Sequence, residues 1–229
     1  AYLLPPHPLT HLVLWGGQTA AVVAPINLML EPDHIAAMVR SSGAKALVVP
    51  SSGIDPRIHA MLPDIKNRSP ALETILYIGG VEDTAEAFSF ERLLAEADGD
   101  LLALNQPAER SDIASLFHTG GTTGAPKFAR ITHWGLLTAG FGVAQMLGLG
   151  EQDRFLNGLP LFHLGGTVTL GLSFLGSGGA NIIPTYEGLR NPDVINNYWR
   201  LVEEHKVTVV GGIPTTVGAI LNASTEGVN

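Results

Sequence analysis

Apolar residues along this chain fall into short β-branched and aliphatic runs, separated by stretches where they recur at the spacing of one helix face. Residues 21–25, 46–49, 74–78, 113–117, 128–132, 154–158, 180–183 and 207–210 read as strands. Residues 32–42, 56–67, 90–97, 133–147, 165–175, 192–204 and 214–221 read as helices. Pro32 opens the first of these helices and Gly43 closes it, while Pro63 is expected to cut the second short. The 192–204 segment aligns Val194, Ile195, Tyr198, Leu201 and Val202 on one side. Residues 80–89 and 98–112 lack either period and read as loops. The alternation implies an α/β fold of layered, parallel-rich sheets flanked by helices. A seam near 98–111 would divide it into an N-terminal α/β portion, 1–100, and a second α/β portion, 101–229.

Two apolar stretches test that reading. The start, AYLLPPHPLTHLVLWGG, has no basic lead or small-residue cleavage pattern, and Pro5, Pro6 and Pro8 break it, so neither a signal peptide nor a regular element is assigned there. The span 155–186 contains no Asp, Glu, Lys or Arg and exceeds the roughly 20 residues needed to cross a bilayer. Pro160, His163 and six glycines between Gly165 and Gly179 interrupt any single spanning helix. A buried strand–loop–helix–strand is expected, with no transmembrane segment.

Composition narrows the classes of function. Lys plus Arg number 13 against 21 Asp plus Glu, a formal charge of −8, with no block of like charge, which argues against a nucleic-acid partner. Cysteine is absent, which removes disulfides and thiolate chemistry. His7 and His11 are spaced i, i+4, but Pro8 lies between them and no third ligand is near, so no metal site is assigned. Glu82, Asp83, Glu86, Glu91 and Glu96 read as a solvated face, and Trp15, Trp134 and Trp199 as core or surface anchors.

One stretch carries chemistry. Residues 116–127, LFHTGGTTGAPK, set three glycines and three threonines directly after a strand. Gly120, Gly121 and Gly124 let backbone N–H groups turn inward and approach an anion. Thr119, Thr122 and Thr123 add hydroxyl donors, and Lys127 adds a mobile positive charge behind the stiffening Pro126. A polyphosphate suits such a loop; a ligand-free Gly/Thr hairpin turn is the plainer alternative. Walker spacing is absent, because Ala125 and Pro126 separate the last glycine from the lysine and a strand follows instead of a helix.

LFHTGGTTGAPK resembles the signature of the adenylate-forming, AMP-binding superfamily of acyl- and aryl-CoA synthetases, peptide-synthetase adenylation domains and luciferases. Leu159-Pro160-Leu161-Phe162-His163 with Gly165-Gly166 is similar to that family's substrate-side motif, and Gly212-Ile213-Pro214-Thr215 to its "GVPT" segment. Residues 24–32 and 42–45 resemble the early large domain of CoA synthetases, and the likeness covers nearly the whole chain. It implies an ATP-dependent acid–thiol ligase in which a carboxylate, most simply a fatty acid, is adenylated and passed to CoA. By position, Thr119, Gly120, Gly121, Thr122, Thr123, Gly124 and Lys127 would hold the ATP phosphates, with Lys127 and Thr123 in catalytic roles. His163, Gly165, Gly166, Gly212 and Pro214 would border the acid; the plainer alternatives are a hydrogen-bonded core histidine and glycines at tight turns.

The resemblance also implies ATP, Mg²⁺ arriving with ATP, CoA as co-substrate, and a cytoplasmic setting. The sequence departs from the commonest pattern at His118-Thr119-Gly120 and at Phe128-Ala129. The family's adenine-binding segment, its Tyr-Gly-x-Thr-Glu segment and its small C-terminal lysine domain do not occur here. A fragment of a longer enzyme, inactive alone, is therefore expected. A peptide-synthetase-type adenylation domain and a nucleotide- or acyl-binding domain without catalysis remain the alternatives.

Overall fold

The computed structural model describes residues 1–80, 84, 87–100, 107–119 and 127–228, which form a mixed α/β protein. The chain divides into two compact units, one of residues 1–4 and 9–133, the other of residues 5–8 and 134–229. The expected seam residues that are described, 98–100 and 107–111, lie within the first unit.

Helix α1, Pro8–Ala20, belongs to the first unit from Leu9 onward. Sequence pattern did not anticipate it. Pro8 is the first helical residue, a position where the missing N–H costs nothing. Helix α2, Pro32–Ser42, begins at Pro32 and ends where Gly43 takes φ +65° and donates its N–H to the Arg40 carbonyl. Ile35, Ala36, Met38 and Val39 are its buried face. Strand β1, Ala46–Pro50, precedes helix α3, Pro56–Arg68, whose N-cap Asp55 accepts from the N–H groups of Arg57 and Ile58. The helix continues through Pro63, contrary to the expectation that it would be cut there. Burial of Ile58, Met61, Leu62 and Ile65 along one stripe offsets the roughly 3 kcal/mol penalty of an interior proline.

Strands β2, Thr74–Ile78, and β3, Ala87–Ser89, complete a three-stranded parallel sheet in the order β1-β2-β3, with Val48 opposite Leu76 and Leu76 opposite Phe88. Within the stretch expected as loop, 87–89 is thus strand, while 81–83 and 85–86 lie outside the described residues. Helix α4, Phe90–Glu96, follows. Glu91 is more than a solvated acid, since its Oε1 accepts from the Gly79 N–H at 2.7 Å.

Strands β4, Ile113–His118, and β5, Phe128–Thr132, pair antiparallel. They are tied into the unit by residues 21–25, which make isolated bridges instead of the expected strand. Val23 donates to the Ala114 carbonyl at 3.0 Å and accepts from Leu116 at 2.9 Å, while Pro25 bridges to Tyr2, which also bridges Val48. Tyr2, Leu4, Val13, Leu14, Val23, Val48 and Ile78 pack as the core beneath these elements. Gln18 of α1 reaches β4 with a buried 2.6 Å hydrogen bond from Nε2 to Ser115 Oγ.

The second unit contains most of helix α5, His133–Leu147, then strand β6, Arg154–Leu156, a π-helix, Gly165–Leu172, helix α6, Ser173–Gly176, and strand β7, Ala180–Ile182. β6 and β7 are parallel, Phe155 opposite Asn181. The span 155–186 is therefore strand, loop, helix and strand as expected, and no helix among the described residues is long and apolar enough to cross a membrane. The predicted 192–204 helix is two, α7, Pro192–Asn196, and α8, Tyr198–Glu204, parted at Asn197, where φ −104° and ψ 13° leave the helical region. Helix α9, Pro214–Leu221, follows, and the expected strand at 207–210 is reduced to one bridge, Val209 to Phe155. Leu156, Leu159, Leu189, Val194, Tyr198 and Ile220 form this unit's core.

Candidate functional site

Strands β4 and β5, which flank the Gly/Thr stretch in sequence, pair antiparallel in the first unit. The pairing runs from Ser115 opposite Ile131 to His118 opposite Phe128, with a bulge between Ile113 and Ser115. One further bond closes the ladder: Thr119 donates its N–H to the Lys127 carbonyl at 3.0 Å. The backbones of two predicted site residues, Thr119 and Lys127, are thus held face to face as the base of the loop, and both residues are exposed. Gly120, Gly121, Thr122, Thr123 and Gly124 lie outside the described residues. The strand-to-strand setting inferred from the absence of Walker spacing is what the structure has, so no helix starts at the lysine.

His163, Gly165, Gly166, Gly212 and Pro214 all belong to the second unit. His163 is exposed, and its Nδ1 accepts from the Gly165 N–H at 3.0 Å, which fixes that nitrogen as the unprotonated one in the neutral ring. Its carbonyl accepts from the N–H groups of Gly166 and Thr167, each at 3.1 Å, and so starts the π-helix. Gly166 has a packing reason to be glycine. A Cβ there would stand 2.5 Å from the Pro160 carbonyl oxygen.

Beneath this turn, the fully buried Asn157 donates from Nδ2 to the Gly166 carbonyl at 2.9 Å and accepts weakly from the Leu159 N–H at 3.4 Å. Asn181 of β7 likewise donates to the Gly171 carbonyl at 3.0 Å. These two amides brace both ends of the π-helix. Neither asparagine belongs to a motif that sequence pattern reveals, because the partners of both are set by tertiary packing.

The 207–215 segment is brought beside β6 by the Val209–Phe155 bridge and by Thr208. The Thr208 N–H donates to the Arg154 carbonyl at 3.0 Å, its Oγ1 accepts from the Arg154 N–H at 2.9 Å, and its hydroxyl donates to Asp153 Oδ1 at 2.7 Å. The Thr208 hydroxyl, and then the Gly150 N–H, hold the Asp153 carboxyl below its usual range. Gly212 and Pro214 lie just beyond this lacing: Pro214 is the first residue of α9, and a Cβ on Gly212 would stand 2.6 Å from Thr216 Oγ1. The 208–209 residues thus lie against β6, and Asn157, the residue just after that strand, holds the turn that follows His163.

Among the described residues no group of three or more His, Cys, Asp or Glu side chains is placed to hold a metal ion. His11 is buried on α1, and neither of its ring nitrogens has a hydrogen-bond partner among the described residues.

The anthranilate CoA ligase AuaEII in complex with anthranoyl-AMP superposes on 96% of this chain with a TM-score of 0.75 at 24% identity, the chain covering 40% of that protein. The family model described as AMP-binding enzyme matches residues 17–228, and the chain belongs to that family. Curated relatives include a marinolic acid–CoA ligase of a Pseudoalteromonas species, 31% identical over 99% of this chain, and the human long-chain fatty acid transport protein 3, 29% identical over 91%. The chain spans 35% and 29% of the lengths of those two relatives.

Proposed function

We propose that this chain is the phosphate-loop and acid-binding part of an AMP-forming acid–CoA ligase. The observation that carries the reading is the β4–β5 pair closed by the bond from Thr119 to Lys127, which brings the two ends of the Gly/Thr segment together between two strands. The supporting likenesses are to proteins whose own names are those of CoA ligases.

In the first half-reaction, an oxygen of the carboxylate bonds to the α-phosphorus of ATP and the bond to the β-phosphate oxygen breaks, releasing pyrophosphate and leaving acyl-adenylate. In the second, the CoA thiol bonds to the acyl carbon, its proton is lost and AMP leaves. Backbone N–H groups of Gly120, Gly121 and Gly124, the hydroxyls of Thr119, Thr122 and Thr123, and the Lys127 ammonium would hold the β- and γ-phosphates and stabilise charge moving onto the leaving group. His163, Gly165, Gly166, Gly212 and Pro214 would border the acid. Mg²⁺ would enter on the triphosphate, and no step here depends on a metal ligand from the described residues. Use of ATP and CoA supports a cytoplasmic setting.

The test is pyrophosphate exchange by the full-length protein with short, long and aromatic acids, followed by product analysis with CoA. Exchange with at least one acid and formation of its CoA thioester are expected. The double variant Lys127→Ala, Thr123→Ala should lower exchange by on the order of a hundredfold without moving the thermal midpoint. No exchange with any acid, or undiminished exchange in the double variant, removes the reading.

A further inference from the structure

Thr208 is the one hydroxyl in the apolar run 207–210, which by pattern reads as a strand. The chain arrives there from α8 through a strained turn. Lys206 takes φ +54° and is the only left-handed non-glycine among the described residues. Its N–H donates to the Glu203 carbonyl at 3.1 Å and the Val207 N–H to the Val202 carbonyl at 2.9 Å, a paired closure that usually has glycine at the left-handed position. A lysine stays in that region only where the surrounding structure holds it there. Past the turn, main-chain pairing does little of that holding. Val209 makes a single parallel bridge to Phe155, and residues 210–213 make none to β6. A strand with so little pairing is weakly specified in register, and a slip of one residue turns every following side chain to the other face.

Side chains supply the register instead. Thr208 Oγ1 donates to Asp153 Oδ1 at 2.7 Å and accepts from the Arg154 N–H at 2.9 Å, so the carboxylate fixes where the hydroxyl proton points and leaves a lone pair for the backbone. Asp153 is itself fixed. Its Oδ2 accepts from the Gly150 N–H at 2.8 Å, its own N–H donates to the Gly150 carbonyl at 3.0 Å, and its carbonyl accepts from the Ala180 N–H of β7 at 2.9 Å. The far end of the segment is anchored separately, because Ile220 of α9 lies in the core and its carbonyl accepts from Trp199 Nε1 at 3.1 Å. Gly211 and Gly212 fall between these anchors, and a Cβ on Gly211 would reach Phe155 Cε2 at 3.9 Å.

We propose that Asp153 and Thr208 are a positioning pair: their bond sets the register in which residues 209–214 run past β6, and with it the placement of Gly212 and Pro214 at the acid. The proposal rests on the ligase reading for the acid, and neither side chain is assigned a contact with substrate. Thr208 is exposed and Asp153 half-buried, so water competes for the bond and its loss costs little stability. Its effect is on geometry instead, where a displacement of about 1 Å can cost on the order of a hundredfold in rate.

Thr208→Val supplies the test, since it removes the hydroxyl and keeps the β-branched shape. In the full-length enzyme this variant should raise KM for the acid in pyrophosphate exchange by about tenfold, leave KM for ATP unchanged and barely move the urea midpoint. Thr208→Ser puts the hydroxyl back and should bring the acid KM to within about twofold of the parent. Asp153→Ala should also raise the acid KM, and the double variant Asp153→Ala, Thr208→Val should be no worse than Asp153→Ala alone, because the two residues act through one bond. Deuterium uptake across 209–216 gives a readout that needs no activity: it should quicken in Thr208→Val and return to the parent rate in Thr208→Ser. Quickened uptake in a protein that activates no acid keeps the pair as the setter of register and removes the ligase reading alone. An unchanged acid KM in Thr208→Val, an equal rise in KM for acid and ATP, failure of Thr208→Ser to restore the acid KM, or unchanged uptake across 209–216 overturns the positioning role.

Discussion

Single residues in this chain divide by whether their chemistry is local. The motif behind the proposed phosphate-binding role was legible, because the order of Gly, Thr and Lys at 119–127 is written in the sequence itself. His11 was not. Its spacing from His7 invited a metal-site question, but the decisive fact is burial, which pattern alone could not supply: the side chain is 7% exposed with no hydrogen-bond partner for either ring nitrogen among the described residues. Burial lowers its pKa from the ordinary 6.5 to about 4. An unfolded chain takes up this proton as pH falls through 6.5, whereas the folded unit resists it until about 4. The stability contributed is present above pH 6.5 and is lost as pH falls through that window, up to about 3 kcal/mol in total. Replacing His11 with Leu should flatten the loss while leaving stability at pH 7 unchanged or higher, since an unpartnered polar ring gives way to an apolar side chain. Urea midpoints of the full-length protein at pH 7 and pH 4.5 measure this. An unchanged difference between those two pH values in the variant would show that another group sets the acid limb.

At the scale of elements, legibility followed the strength of the local signal. The ranges 74–78, 128–132, 133–147 and 214–221 coincide with β2, β5, α5 and α9, whose ends carry glycine, proline or a change of period. Helix α1 was hidden because Pro5, Pro6 and Pro8 read as breakers, although a proline at the first helical position is a start signal. The π-helix was hidden for a different reason. Its composition is that of any apolar helix, and the wider turn is held by side chains distant in sequence, Asn157 at Gly166 and Asn181 at Gly171. Asn157→Leu keeps the volume close but removes the amide, leaving the buried Gly166 carbonyl and Leu159 N–H each short of a partner. A loss of about 1–3 kcal/mol in unfolding free energy is expected. Exchange activity should fall as well, because the His163 turn rests on this bond. An Asn157→Leu protein with unchanged urea midpoint and unchanged exchange would mean that the amide braces nothing.

For the molecule as a whole, the parallel-rich α/β class was readable because alternating strands and helices admit few arrangements, but the division into units was not. The sequence suggested a seam where Asn, Gln and Pro accumulate near 98–111; the observed change of unit falls at 133–134, inside the continuous apolar pattern of α5. Which faces need covering was equally hard to read. In the second unit Val210, Ile213 and Leu221 are 44%, 54% and 72% exposed, and Leu137, Phe141 and Met146 of α5 are exposed as well. At about 25 cal/mol per Å² of apolar surface, such side chains favour burial against further apolar surface. Relatives of this chain are roughly threefold longer, the chain covering 35% of one and 29% of another. On the proposed reading, the rest of a longer enzyme would cover the 210–221 surface. The 229-residue chain expressed alone should therefore bind the apolar dye ANS strongly and show no pyrophosphate exchange, whereas the full-length protein should bind far less dye and exchange. Val210→Ser, Ile213→Ser and Leu221→Ser together should lower dye binding by the isolated chain and destabilise the full-length enzyme. Equal dye binding per molecule by the two proteins would mean that this surface stays open to solvent in the enzyme.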